Sequence, residues 1–266
     1  PRVQSQPETR EWLSIACFGP SLADTWQQLR HPILSVSGAH DFLLDCGIVP
    51  DYHVDCDPRP SKVAHLSRPH PGVQYLMASC CNPLTWDALA GFNVKLWHAN
   101  SGGSTLEWMK SNLPNEIMMN GGSCVGLSAM HVAGVLGFRK FEFHGFDGNF
   151  RNDARHAGKH YGFPQTRQRL NFNGVEYATS FAMWDSSREF VRNFQNYPIL
   201  GIVHGEGMTQ EFTRAALLPN LLRANHPKAA WLRTKHPRIL GVVENGKVRF
   251  LGWRGVVQRA LAWLGT

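Results

Sequence analysis

One stretch gathers most of the groups that can do acid–base or phosphate chemistry. In FHGFDGNFRNDARHAGKHYGFPQ, Asp147 ends an apolar run and is followed by Arg151, Arg155, His156, Lys159 and His160. Imidazoles titrate near neutral pH, so His156 and His160 are candidate proton acceptors, while Arg151, Arg155 and Lys159 suit a phosphate. Spaced by four, the two histidines would share one face of a helix and with Asp147 could hold a metal, although Gly158 opposes a helix there. A second stretch, PDYHVDCDPRP, places Asp55 and Asp57 two apart. On an extended strand both carboxylates point the same way, as hard oxygen ligands for Mg²⁺ beside a diphosphate. The same spacing also suits a helix cap or an ion pair with Arg59.

Three glycine-bearing joins complete the set. Gly19-Pro20-Ser21 stands between an apolar run and a helical pattern, as does Asn120-Gly121-Gly122-Ser123. Helix starts of this kind expose N–H groups to an anion, and both are candidate nucleotide contacts. Asn100, Ser101 and Gly102 form a polar loop able to wrap a base or sugar. Neither a G-x-x-x-x-G-K-[ST] nor a G-x-G-x-x-G pattern is present. Plain capped turns have the same composition.

These joins must be positioned by regular elements. Short apolar runs at 12–18, 33–37, 51–56, 74–79, 93–98, 116–119, 140–145 and 199–203 read as strands. Helical patterns at 22–30, 39–46, 60–67, 83–90, 104–112, 123–137 and about 179–196 alternate with them. That alternation predicts an α/β fold with a mainly parallel sheet, in which ligands bind beyond the C-terminal strand ends. Residues 1–206 are expected to form this domain. Residues 207–266 are expected to be a helical and hairpin appendage packed on it, with Asn245-Gly246 as a hairpin turn.

The composition, 43% hydrophobic and 18% charged over 266 residues, is that of a globular chain. No run approaches the ~20 apolar residues of a membrane span, and PRVQSQPETREW lacks an apolar core, so a cytoplasmic location is expected. The six cysteines include no C-x-x-C pair, which argues against a zinc ribbon or a disulfide framework. A net charge of +7 suits anionic partners, a nucleic-acid acceptor among them.

Taken in order, GPSL, GIVPDYHVDCDP, GGSCVGLSAMHVAGVLGFRKFEFHGFD and RHAGKH resemble the family of motility accessory factors and archaeal 6-hydroxymethyl-dihydropterin diphosphokinases (MptE-like), itself similar to bacterial lipooligosaccharide sialyltransferases. The resemblance spans roughly residues 12 to 205. It implies a Rossmann-like domain with helices on both faces of the sheet. Gly19, Pro20 and Ser21 would lie against nucleotide phosphates, and Asp57 would contact the nucleotide. Gly122 and Ser123 would touch a cytidine, while Asp147 and His156 match the family's Gly-x-Asp and a later histidine. The sialyltransferase histidine before the last core helix is missing from NGVEYATSFAMWDSS, which leaves His156, His160, Glu176 or Asp185 as the base.

The resulting expectation is a nucleotide-dependent transferase. Glycosyl transfer from a nucleotide-activated sugar, a CMP-linked one included, to a glycan or small-molecule acceptor stands first. Diphosphoryl transfer from Mg²⁺-ATP to a pterin alcohol stands second, with Asp55 and Asp57 as metal ligands. A non-catalytic nucleotide-binding assembly module stands third. The sequence does not fix an oligomeric state.

Overall fold

A computed structural model describes residues 1–100, 102–116, 118–120, 122–158, 166–172, 175–196, 199–213, 241–244 and 247–250. The roles expected of Ser101, Lys159 and His160, and the turn at Asn245-Gly246, lie outside them.

The main sheet has eight strands. These are β1 (Trp12–Ala16), β2 (Ile33–Val36), β3 (Tyr52–Asp55), β4 (Gln74–Ala78), β5 (Val94–Asn100), β6 (Met118–Asn120), β7 (Lys140–His144) and, after a separate hairpin, β10 (Leu200–Val203). Their order is β10-β7-β1-β2-β3-β4-β5-β6, and every pairing is parallel. The Rossmann-like α/β fold expected from the sequence is present. The chain runs outward from β1 to β6, then returns to place β7 on the other flank of β1. That reversal is a topological switch, and the strand ends on either side of it leave a crevice.

The first helices are short: α1 (Leu22–Thr25), α2 (Ala39–Asp45) and α3 (Pro83–Ala88). The longer ones are α4 (Gly103–Asn112), α5 (Val125–Val135) and α6 (Phe181–Asn196). On one face of the sheet, Leu13, Ile15, Phe141 and Phe143 pack with residues of α5 and α6. Phe143 meets Phe190 edge-on at 4.7 Å, and Phe190 meets Phe194 at 4.8 Å. Small residues let α5 lie close: a Cβ on Gly126 would stand 2.8 Å from the Phe146 ring and 3.0 Å from Cys17 Sγ.

Three expectations change. The helical pattern at 22–30 is α1 followed by a 3₁₀ turn at Trp26–Gln28. That at 60–67 is a 3₁₀ segment, Pro60–His65; Arg59 is extended before Pro60, as the proline ring requires of the residue preceding it. A hairpin also appears where no strand is expected: β8 (Gln168–Phe172) pairs antiparallel with β9 (Val175–Thr179). Beyond the domain core, β11 (Gly241–Glu244) and β12 (Lys247–Phe250) pair antiparallel. The helix opening at 208–213 packs on the loop after β7: Thr209 N–H donates to the Asp147 carbonyl and Met208 N–H to Asn149 Oδ1.

Candidate active site

A cleft of about 550 Å³ opens at the switch, over the C-terminal ends of β1, β2, β3 and β7 and the start of α5. Of the expected residues, Gly19, Pro20, Asp57, Gly122, Ser123, Asp147, Arg155 and His156 line it. Asn100, Gly102, Asp55, Ser21 and Arg151 do not. Asn100 Oδ1 instead accepts the Gly102 N–H, closing its own loop, and Arg151 pairs with Asp24 at the surface.

Glycine chemistry builds the floor. Gly19 N–H donates to the Gly145 carbonyl at 2.8 Å, and a Cβ on Gly19 would stand 2.4 Å from that oxygen. Gly145, at φ +70°, presses equally close to Cys17. The ends of β1 and β7 are thereby buttoned together without side chains. The join at Gly19-Pro20-Ser21 differs from its sequence reading in one respect. Its N–H groups are engaged within the protein: Gly19 with Gly145, Ser21 with Asp147 Oδ2 at 2.8 Å, and Leu22 with Gly19. It shapes the cleft and offers no N–H to a ligand.

Asp147 is a clamp. It is 4% exposed, and its second oxygen accepts from Gln210 Nε2 at 2.6 Å. Burial raises its pKa, against the lowering effect of the Ser21 and Gln210 hydrogen bonds. Gln210 also donates to the His204 carbonyl, so one carboxylate ties β1, β7 and the 208–213 helix.

The start of α5 is likewise filled from within. Ser123 N–H donates to Glu189 Oε2 at 2.8 Å, and its hydroxyl to Ser186. A carboxylate from α6 therefore stands where an incoming anion was expected.

The two aspartates after β3 diverge. Asp55 is 2% exposed, and its Oδ1 accepts the N–H groups of Cys56 and Asp57, folding the loop around itself. Burial pushes its pKa up to about 6. Asp57 faces the cleft, where Arg59 holds it through Nε at 2.8 Å and a second short contact; Lys62 Nζ stands 3.7 Å away. Burial works against its charge, but the hydrogen bonds from Arg59 prevail and lower its pKa. As placed, the pair does not form a Mg²⁺ site: one carboxylate is turned into its loop, the other bound to cations.

Arg59 and Lys62 are cleft residues that the sequence reading passed over, except for Arg59 as a partner of Asp57. The signal was there, in PRPSK directly after a strand end. With Arg155 they set three cations in the cleft lining, which also carries the carboxylates of Asp57 and Asp147. Lys62 is only 5% exposed, and burial lowers its pKa even against the pull of Asp57. Burial and the neighbouring Arg59 likewise lower that of Arg155. Cations so pressed favour a bound anion.

His156 completes the wall. Its ring stacks on Phe18 at 5.4 Å, and its Nδ1 lies 3.2 Å from the Phe18 carbonyl. A carbonyl only accepts, so Nδ1 carries the proton and Nε2 the lone pair. Burial, reinforced by the Arg155 charge, lowers its pKa to about 3, so the imidazole is neutral at physiological pH.

The fold is a Rossmann-like α/β domain with a cation-walled cleft over the switch point of its all-parallel main sheet. The chain belongs to the 6-hydroxymethylpterin diphosphokinase MptE-like family, whose model matches residues 6–153. Among solved structures it is similar to the Maf glycosyltransferase from Magnetospirillum magneticum AMB-1. The two share 20% identity and a TM-score of 0.61 over 78% of this chain. The match covers 34% of that protein, so the chain spans about a third of its length and the likeness is one of fold. No curated protein matches the chain.

Proposed function

We propose that the chain is a nucleotide-dependent transferase. The best-supported reaction is glycosyl transfer from a nucleotide-activated sugar, with a CMP-linked donor as the first to test. The observation that carries this reading is the grouping of Arg59, Lys62 and Arg155 beside neutral His156 in one cleft. A leaving nucleotide phosphate fits the three cations, which neutralise its charge as the glycosidic C–O bond breaks. The acceptor hydroxyl attacks the anomeric carbon and its proton passes to His156, whose Nε2 is buried in this conformation and has to turn toward the cleft. An anion beside Arg155 offsets the charge that depresses His156, so donor binding raises the basicity of the base when it is needed. Asp147 acts on the turns around the site rather than on substrate.

Diphosphoryl transfer from Mg²⁺-ATP to a pterin alcohol is the second reading, favoured by the family's description. Asp55 and Asp57 as arranged do not supply its metal ligands, so no step here is routed through a metal. A glycan or small molecule is the acceptor in the first reading, and a nucleic-acid acceptor remains compatible with the +7 charge. Among the described residues no helix is long and apolar enough to cross a membrane; we place the chain in the cytoplasm.

Thermal melts with CMP, CTP, UDP and ATP, each with and without Mg²⁺, test the reading. A ligand at a hundred times its Kd adds about 2.7 kcal/mol. Stabilisation by cytidine nucleotides without metal supports glycosyl transfer. Stabilisation by ATP only with Mg²⁺ favours the diphosphokinase, and no shift with any nucleotide overturns both.

A further inference from the structure

Behind the cleft, on the sheet face away from α5 and α6, lies a cluster that the transfer chemistry does not use. Glu142 and His144 are two apart on β7, so strand alternation puts both on one face. The parallel register pairs Val203 with Phe143, which brings His204, the first residue past β10, beside His144. All three are buried, at 3%, 0% and 5% exposure. One ligand atom from each lies within 4.8 Å of the others, the only such His/Cys/Asp/Glu group among the described residues.

We propose that Glu142, His144 and His204 bind a divalent transition-metal cation, with Zn²⁺ as the best match. Two borderline imidazoles and one carboxylate oxygen make a donor set of the kind this ion takes. His204 Nε2 stands 3.2 Å from Glu142 Oε2, while its Nδ1 lies 3.4 Å from Gln28 Oε1. That arrangement turns Nε2 inward and gives the opposite ring nitrogen an outer partner, as metal-binding histidines require. The two rings are stacked, centroids 4.1 Å apart and 12° from parallel. Parallel rings hold their lone pairs side by side. Coordination therefore requires a tilt that closes the donors to about 3.4 Å, the separation that tetrahedral bonds of ~2.1 Å impose. The alternative, a buried Glu142–His204 contact beside a stacked His144, needs no tilt and no metal ion.

The bound ion would rivet β10 to β7. His204 also accepts from Gln210 through its carbonyl, and Gln210 holds Asp147. The rivet therefore stiffens the cleft floor from below without touching a substrate. The proposal is independent of which transfer reaction the cleft performs.

The test uses the full chain, purified without a polyhistidine tag, stripped with chelator and equilibrated with Co²⁺ or Zn²⁺. We expect about one ion per chain, visible Co²⁺ ligand-field bands, nitrogen and oxygen but no sulfur in the Zn X-ray absorption spectrum, and a higher melting temperature with Zn²⁺. His204→Gln and His144→Gln, checked for folding by circular dichroism, should lose the ion. Wild-type chain that takes up no metal, a spectrum with sulfur ligands, or folded variants that keep the ion would each overturn the site. If the variants do not fold, the wild-type stoichiometry and ligand spectrum decide alone.

Discussion

Asp55 offers a test in which stability and function separate. Its carboxylate is wholly buried, and burial raises its pKa from the ordinary 3.8 to about 6. A carboxyl whose folded pKa is raised favours the native state when protonated and opposes it when ionised. The penalty is absent below the unfolded pKa. It grows as pH rises from about 4 to about 6 and is constant above. Two pKa units correspond to about 3 kcal/mol at 1.36 kcal/mol each, of which about 2 kcal/mol accrues between pH 4.5 and pH 7.5. Asp55→Asn keeps an oxygen for the Cys56 and Asp57 N–H groups and removes the charge. The new amide adds a pH-independent cost of about 1–3 kcal/mol if it finds no acceptor. Urea unfolding of both chains at pH 4.5, 6 and 7.5 isolates the charge effect as a change in their difference. The variant should gain about 2 kcal/mol on wild type across that range, and nucleotide affinity should be unchanged. A difference that stays flat with pH refutes the buried-charge argument. Loss of nucleotide binding refutes the placement of Asp55 outside the site.

Other consequences follow from the same geometry. Gly126→Ala should lower stability by about 1–3 kcal/mol in thermal or urea melts, because its methyl would enter the Phe146 ring and Cys17 space; a gain in stability would mean α5 can move away. Arg155→Met should weaken binding of a phosphate-bearing nucleotide about tenfold or more by calorimetry, one lost charge-assisted contact being worth about 1.5–3 kcal/mol, while leaving nucleoside binding unchanged. Histidine NMR should find His156 neutral down to about pH 3 in the free chain, with its titration moving upward when the cleft holds a phosphate. His156→Gln should reduce kcat by about 10²–10⁴ with donor affinity retained; an unchanged kcat would remove it as the base.

The main sheet was legible because its strands are short, apolar and separated by helical patterns, and all eight were anticipated within a few residues. The switch between β1 and β7 was not, since strand order depends on which crossovers pack, and no local signal states it. The hairpin of β8 and β9 was missed although Asn173-Gly174 is the same dipeptide that marked the turn at 245–246. Its exposed strands lack the apolar run used to find the others. The glycine joins were recognised as special, but composition cannot tell an N–H that awaits an anion from one that meets a carbonyl 126 residues away or a carboxylate from α6. Arg155 and His156 were found because unusual residues cluster there. Lys62 was not, although PRPSK follows a strand end directly, because a lysine three residues from an arginine in a proline-bearing loop reads as surface.

The buttoning of β1 to β7 has a bearing on the order in which the chain is made. The partners Gly19 and Gly145 are 126 residues apart. At a synthesis rate of about 5–20 residues per second, the flank of β1 waits roughly 6–25 s for its neighbour to emerge. Until then an interior strand of the finished sheet is a bare edge, vulnerable to pairing with another nascent chain. The pocket is consequently among the last features to exist, and a nucleotide that fits it can act as a ligand only of chains that have already closed that seam.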